Sequence, residues 1–388
     1  MKLRRLQLEH FRNYPTQDIA LGPGLHVFSG ANAQGKTNFL EAVYLTTTGR
    51  SPRTNQESEL IAWDSDIARV VAEYDTQRRG PLTIELSFGR KGEIPFTGDK
   101  RGESAHKRIK VNGVARHLAD LAGLVPVVLF LVDDLEIIRG EPARRRAFLD
   151  IDLSAMSRTY TWALRQYARV VEQRNRLLKE MRDGQADPAD LPPWNDQLIT
   201  HGARVLEVRS RFIADLNQVS PSVYQGLTAS TQELSIAYRR EWGDPGMAPA
   251  TRAEFIALLA DALATHGAEE LRRGSSLVGP HRDDLLLLIN GKDVRQYGSQ
   301  GEQRTAALAL RVAEFSLLHR LFGEPPVLLL DDILSELDKT RRAALLDHLA
   351  PLAQVILTTT DVDAVGLPPH ADVHLYHVAS GTVAPLTV

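Results

Sequence analysis

A chain of 388 residues, 43% apolar and 24% charged, exceeds one ordinary domain and excludes wholesale disorder, so two compact units are expected. Its formal charge of −3 supplies no bulk field for nucleic acid, so any such contact has to come from local clusters. The absence of cysteine removes disulfides, thiol nucleophiles and thiolate metal sites, leaving oxygen and histidine as metal donors.

The opening MKLRRLQLEHFRNY is charged but has no apolar core of signal-peptide length, and no later apolar stretch approaches the ~18 residues of a membrane span. A cytoplasmic protein without a membrane partner is the expectation. LRRLQLEHF alternates as a strand does, and LHVFSG reads as a second strand running into a glycine turn. Beyond Thr37, the residues Leu40, Val43 and Tyr44 recur at helical spacing, and Gly49 closes the helix. The turn comprises Gly30, Ala31, Asn32, Ala33, Gln34, Gly35, Lys36 and Thr37, followed by Asn38, and fits G-x-x-x-x-G-K-[ST] at every fixed position. Its glycines let backbone amides turn inward around phosphate, and the helix N-terminus adds positive potential. Lys36 is placed to reach the β- and γ-phosphates of a nucleotide, and Thr37 to offer a hydroxyl to Mg²⁺.

Residues 67–113 give alternating runs (ARVVAEY, LTIELSF, KRIKVNG) punctuated by glycine, the pattern of an antiparallel meander, and VPVVLFLV follows as a buried strand. From about residue 154 the pattern becomes helical: Leu164, Tyr167, Val170, Val171, Leu177 and Leu178 stripe one helix face as far as Gly184. After the break DGQADPADLPP, Leu198, Val205, Phe212 and Leu216 stripe a second helix, and Ala253–Thr265 adds a third. Strand signals return after residue 275, beginning with LLLLING and its Asn-Gly turn. The helix GEQRTAALALRVAEFSLLHRL, the strand PVLLLDD, a helix from Asp338 and the strand QVILTTT complete the order. The expected organisation is therefore α/β: residues 1–150 and 275–388 form one mixed unit, interrupted by a helical segment over 151–274.

PVLLLDD delivers two carboxylates at the C-terminal end of an apolar strand, where open α/β sheets bind ligands. Asp331 is placed to hold Mg²⁺, while Asp332 either polarises an attacking water or caps the following turn. In YGSQGEQRTAAL, Ser299 and Gly301 precede a long helix, which is either a second anion-facing helix start or ordinary capping. SELD and TTTD follow the two C-terminal strands. His281, with Asp283 and Asp284 in GPHRDD, reads as a hydrogen-bonded structural residue in preference to a metal ligand. The basic clusters are Arg4 and Arg5, Lys107–Lys110, Arg144–Arg146, Arg239 and Arg240, and Arg272 and Arg273; each alone reads as a solvated surface. Three consecutive arginines on a helix cannot all face one phosphate; Arg144, Arg145 and Arg146 read either as a shared DNA-binding group or as a solvated face.

Taken together, LEHFRNY, SGANAQGKTNFLEAVYL, GRSPRT, RGEPARRRAFLD, LVGPHRDDL, YGSQGEQRTAALAL, LLLDDILSELD and ILTTTD resemble, in order and over nearly the whole chain, the RecF family of ATP-binding-cassette-type DNA repair proteins related to SMC heads. One departure is Val132, where the family usually has proline before the acidic pair, here Asp133 and Asp134. The resemblance implies an ABC-type P-loop ATPase head with an antiparallel β subdomain, interrupted by a helical arm. It implies ATP and Mg²⁺ as cofactors, with Gly30 to Asn38 around the nucleotide and Lys36 and Asp332 as catalytic residues. It makes Ser299, Gln300, Gly301, Glu302 and Gln303 the signature motif, capping ATP held by a second subunit. Ser335 and Asp338 match the D-loop, and Thr360 matches the switch position. The implied function is an ATP-dependent homodimeric clamp on double-stranded DNA and single-/double-strand junctions. It would act in the DNA-damage and SOS response and in replication, with RecO and RecR, to help RecA load at gaps. The implied activity is a weak, DNA-stimulated ATPase.

A transporter ATPase would instead carry histidine at 360 and glutamate at 332, and an SMC protein would separate the motif halves by long heptad arrays. Between a motor and a binding module whose ATPase acts as a timer, the timer is the expectation.

Overall fold

The computed structural model describes residues 1–90, 105–243 and 251–386. The chain divides into two compact units: residues 1–134, 226–229 and 311–388 form the first, and residues 135–225 and 230–310 the second.

Two sheets build the first unit. One is antiparallel, with strand order Tyr14–Ala20, Lys2–Phe11, Ile67–Thr76, Gly80–Arg90, Ala105–Val111 and Val114–Arg116. This is the expected meander; part of its stretch, residues 91–104, lies outside the described residues. The other sheet runs Thr382–Pro385, Val373–Ala379, Leu25–Ser29, Val355–Thr359, Val327–Asp331 and Val127–Leu131, parallel throughout except at its Thr382–Pro385 edge. Its central strands are buried on both faces, which is why they read as continuous apolar runs. The helix Lys36–Thr48 shares a single apolar core with both sheets: Phe39, Leu40 and Val43 join Leu3, Leu6, Val70, Ile84, Leu329 and Ile356 in it. Gly49 ends the helix in the left-handed conformation, φ 68°, with its N–H on the carbonyl of Leu45.

The second unit holds the helices Pro142–Met156, Arg158–Arg182, Pro192–Asn217 and Arg252–Arg273, with a three-stranded sheet of Lys292–Asp293, Asp284–Ile289 and Leu234–Arg239. Asn290 and Gly291 both take positive φ in the turn between Asp284–Ile289 and Lys292–Asp293, as the Asn-Gly pair predicts.

The compact units part elsewhere than at 150 and 274. Arg145 forms a two-pronged ion pair with Asp284 at 2.6 and 3.0 Å, Arg146 donates to the carbonyl of Asp283, and Arg139 donates to Gln303 at 2.7 Å. These bonds fasten the two flanks of the helical segment to each other, and both flanks fall with it in one compact unit that begins at Leu135 and runs to Leu310. Arg145 is only 3% exposed. Of the three consecutive arginines expected near DNA, the middle one is a core residue and unavailable to a phosphate, because its helix points it inward at Asp284.

Candidate functional site

In the first unit, the parallel register sets Asp331 opposite Thr358 and Thr359 opposite Ser29, bringing the C-terminal strand ends level with the glycine turn. Gly30 passes so close to the next strand that a Cβ there would stand 2.3 Å from the carbonyl of Val378. Gly35 has φ 118°, and a Cβ would meet the Asn13 amide at 2.8 Å, so two separate close approaches demand the two fixed glycines. Lys36 heads the helix and curls back, donating to the carbonyls of Gly30 at 2.7 Å and Ala31 at 2.8 Å. Burial lowers its pKa, while the nearby charges of Asp332 and Asp331 act the other way.

The hydroxyls of Thr37 and Thr358 both donate to Oδ1 of Asp331, at 3.0 and 2.7 Å. The strand ends there, and Asp332 enters the left-handed region, φ 52°, ψ 15°, leading the turn Ile333–Glu336. Its N–H donates to Thr358 Oγ1 at 3.0 Å, and its buried Oδ1 has no hydrogen-bond partner. Burial raises the Asp332 carboxyl above the ordinary range, with Asp331 and Glu336 adding to the shift and Lys36 opposing it.

This donor set fits a hard divalent cation. Thr37 Oγ1 and Asp331 Oδ1 already converge, all donors are oxygen, and a single carboxylate suits Mg²⁺, which keeps waters and phosphate oxygens as its other ligands. Among the described residues no group of three or more histidine, aspartate or glutamate side chains is placed to hold a metal. In GPHRDD, His281 bonds the Tyr167 hydroxyl at 2.6 Å and the carbonyl of Ser276 at 3.2 Å.

Sequence reasoning missed what supports the turn. Asn13 donates to the carbonyl of Gln34 at 2.9 Å and accepts from Asn38 at 2.8 Å, while the Tyr14 hydroxyl donates to the carbonyl of Gly35 at 2.9 Å. From the other side, the N–H of Gly381 donates to the Gln34 carbonyl at 3.0 Å, and the N–H of Ser380 to its side-chain oxygen at 2.7 Å. Behind them, buried Glu41 accepts two bonds from Arg12, one from Ser51 and one from Arg53, and Arg53 also donates to Asn38 at 2.7 Å. FRNY and GRSPRT, which carried the resemblance without a role, are thus the braces of the glycine turn. The signal that could have found them is a pair of polar motifs flanking the turn at strand and helix ends.

Ser335 donates to the carbonyl of Asp332 at 2.7 Å, and Asp338 caps the helix Lys339–Leu349 through the N–H of Arg341. Thr360 is exposed just beyond the strand Val355–Thr359; the threonine bonded to Asp331 is Thr358.

The segment Ser299–Gln303 belongs to the second unit. The Ser299 hydroxyl donates to Glu302 at 2.8 Å and accepts its N–H at 3.2 Å, a capping box at the start of Gln300–Phe322. The Ser299 N–H, donating to the same carboxylate at 2.8 Å, together with its hydroxyl, holds the Glu302 carboxyl below its ordinary range. Gln303 is turned inward, bonded to Arg139 and to the carbonyls of Val294 and Gly298, whereas Ser299, Gln300 and the adjoining Tyr297 stand exposed.

Residues 2–379 match the family model of the RecF/RecN/SMC N-terminal domain. The chain is 37% identical over 386 residues to the DNA replication and repair protein RecF of Heliobacterium modesticaldum, with 99% of each chain covered. It is likewise 37% identical over 388 residues to RecF of Oceanobacillus iheyensis, covering 99% of this chain and 100% of the relative. Among solved structures it superposes on the recombination mediator protein RecF with ATP, of the RecFOR pathway, at TM-score 0.86 and 31% identity, covering 99% and 97% of the two chains. An SMC head bound to the C-terminal winged-helix domain of ScpA superposes at TM-score 0.56 with 15% identity over 100% of this chain and 98% of that one, a likeness of fold alone. The architecture is that of an ABC-type ATPase head with an antiparallel β subdomain and a helical arm.

Proposed function

The chain belongs to the RecF family of the RecF/RecN/SMC ATPases, and on that premise we propose that it is an ATP-dependent clamp on DNA in recombinational repair and replication restart. The observation that carries this reading is the division of labour between the two units. Lys36, Thr37, Asp331 and Asp332 stand together in one, while Ser299 stands exposed at a helix start in the other. An exposed helix start offers its amides to the terminal phosphate of a nucleotide held by a second copy. ATP then joins two copies head to head, closing around double-stranded DNA or a single-/double-strand junction. RecO and RecR are the pathway partners, and loading of RecA at gaps is the outcome, with the cytoplasm as the compartment.

Within one copy, Lys36 exchanges its two carbonyl acceptors for β- and γ-phosphate oxygens. Thr37 and Asp331 hold Mg²⁺, which when bound neutralises charge on those phosphates. Asp332, with one oxygen unpartnered, orients and deprotonates the attacking water. Ser299 exchanges its Glu302 acceptor for a phosphate oxygen of the neighbour's nucleotide. Turnover is slow and stimulated by DNA, and it times release.

Measuring ATP turnover with and without duplex DNA, alongside strand displacement, tests the timer reading. Stimulated turnover without displacement is expected; displacement driven by ATP would make the protein a motor and contradict it.

A further inference from the structure

A clamp on DNA needs a surface for the phosphates, and most cations of the basic runs conspicuous in the sequence already lie against acids. Arg4 lies against Asp75, Arg5 against Asp18, Lys107 against Glu57, Lys110 against Glu85 and Arg239 against Glu241, while Arg272 and Arg273 share Glu269. Arg145 is buried on Asp284.

Cations spaced along one helix answer better. In Arg158–Arg182 the residues Ala163, Tyr167, Val170 and Arg174 are buried. At about 100° per residue, Trp162, Arg165 and Arg169 fall on the opposite side, and all three are exposed, Trp162 by 58%. Arg165 and Arg169 are one turn apart, ~6 Å along the axis, so both reach one phosphate backbone. The acids on this face lie farther on: Glu172 is exposed, and Glu180 is taken by Arg176. Trp162 packs edge-on against His201 of Pro192–Asn217, with ring centroids 5.3 Å apart at 75°. Arg252, exposed at the start of Arg252–Arg273, lies near enough that its charge, after burial, lowers the His201 pKa. Two helices therefore bring arginines towards an aromatic pair that a third helix completes with His201. A tryptophan set among cations, with its indole in solvent, suits the face of a nucleobase better than an apolar protein partner.

Resting on the clamp reading, we infer that this face of the arm is a DNA-binding surface, with Arg165, Arg169 and Arg252 on the phosphates of a single-/double-strand junction and Trp162 stacked on an unpaired base. Fluorescence anisotropy of the full chain with Mg·ATP, titrating labelled junction and blunt duplex DNA across a salt series, tests it. Arg165→Glu with Arg169→Glu should weaken binding about tenfold or more and flatten the log–log salt slope by about two. Trp162→Ala should keep the slope and lose the preference for the junction over blunt duplex. Arg4→Glu with Arg5→Glu should bind as the parent does. Should the double variant lose ATP binding by calorimetry, Arg165→Gln with Arg169→Gln carries the same test, with a slope flattened by about two. Parental affinity and slope in the charge variants would overturn the surface while the parent's own binding leaves the clamp reading standing. A parent that binds no DNA at any salt would overturn both.

Discussion

One oxygen of Asp331 receives two hydroxyls, from Thr37 and Thr358, and the next residue keeps an oxygen unpaired; chemistry at this site turns on that asymmetry. Asp332→Asn keeps the shape and removes the base, so nucleotide binding should survive while single-turnover hydrolysis drops by on the order of 10²–10⁴. The sign of the pH dependence comes from the raised carboxyl. The active form is ionised, so the parent's rate should fall as pH drops through a value above the ordinary carboxylate range, and the residual rate of the variant should not follow that limb. Lys36→Ala removes the charge that meets the phosphates and should abolish ATP binding by calorimetry; binding at parental strength would refute the site. Asn13 touches no expected phosphate position and acts through the backbone of Gln34 and the side chain of Asn38. Asn13→Ala should therefore weaken ATP binding about fivefold, the effect of roughly one lost hydrogen bond of about 1 kcal/mol, with kcat at saturation little changed. A fall in kcat at unchanged affinity would contradict this positioning role.

The helix and strands around the glycine turn were legible because their chemistry is local: LHVFSG, the glycines, Lys36 and the Gly49 cap lie within one short stretch. The strands Tyr14–Ala20 and Leu234–Arg239 were not. YPTQDIA offers few apolar side chains to alternate, and LSIAYR follows a helix it packs beside with no turn signal strong enough to mark it. Nor does a sequence show that Asn13 meets Gln34, or that Arg145 turns inward between Arg144 and Arg146, since both depend on long-range packing. GPHRDD proves to be a polar core for the arm. Asp283 accepts from Tyr238 and Trp242 at 2.6 Å each, and Arg209 joins Asp150, Tyr160, Tyr238 and the carbonyl of Pro280. Arg145→Ala strands Asp284 in that core and should cost about 3–5 kcal/mol in thermal unfolding, against less than about 0.5 for exposed Arg144→Ala. Two buried groups here titrate with opposite sign. Burial lowers His281 to about 4, so its stability is present above the ordinary histidine value of 6.5 and is lost as pH falls towards 4. Burial raises Asp283 to about 6, so its ionisation costs stability above that pH and the cost vanishes as pH falls. The two offset each other between those values. Asp283→Asn should leave His281 unopposed, so the unfolding free energy should drop more steeply below pH 6.5 than the parent's, by an amount on the order of 3 kcal/mol at pH 4. A pH profile parallel to the parent's would contradict the opposition.

At the scale of the whole molecule, the nucleotide turn and the signature segment belong to different compact units, and the proposal is that two copies complete each other's sites. The net charge of −3 does not oppose DNA binding if the phosphates meet the arm's spaced arginines, where counterion release is local. Blocking hydrolysis and blocking the cross-subunit contact should then act oppositely on assembly. Asp332→Asn should accumulate as an ATP-bound dimer with longer residence on duplex DNA. Ser299→Arg leaves each copy's own Lys36 and Thr37 intact, so it should bind ATP as a monomer, the bulky cation blocking the neighbour's nucleotide. Mixed with Lys36→Ala, it should form one complete composite site per heterodimer. The most direct measurement is sedimentation velocity of the parent and of Ser299→Arg, each saturated with Mg·ATP. The account predicts a dimer for the parent and a nucleotide-bound monomer for the variant; a Ser299→Arg protein that dimerises with ATP as readily as the parent would contradict the trans role of the signature segment and the clamp built on it.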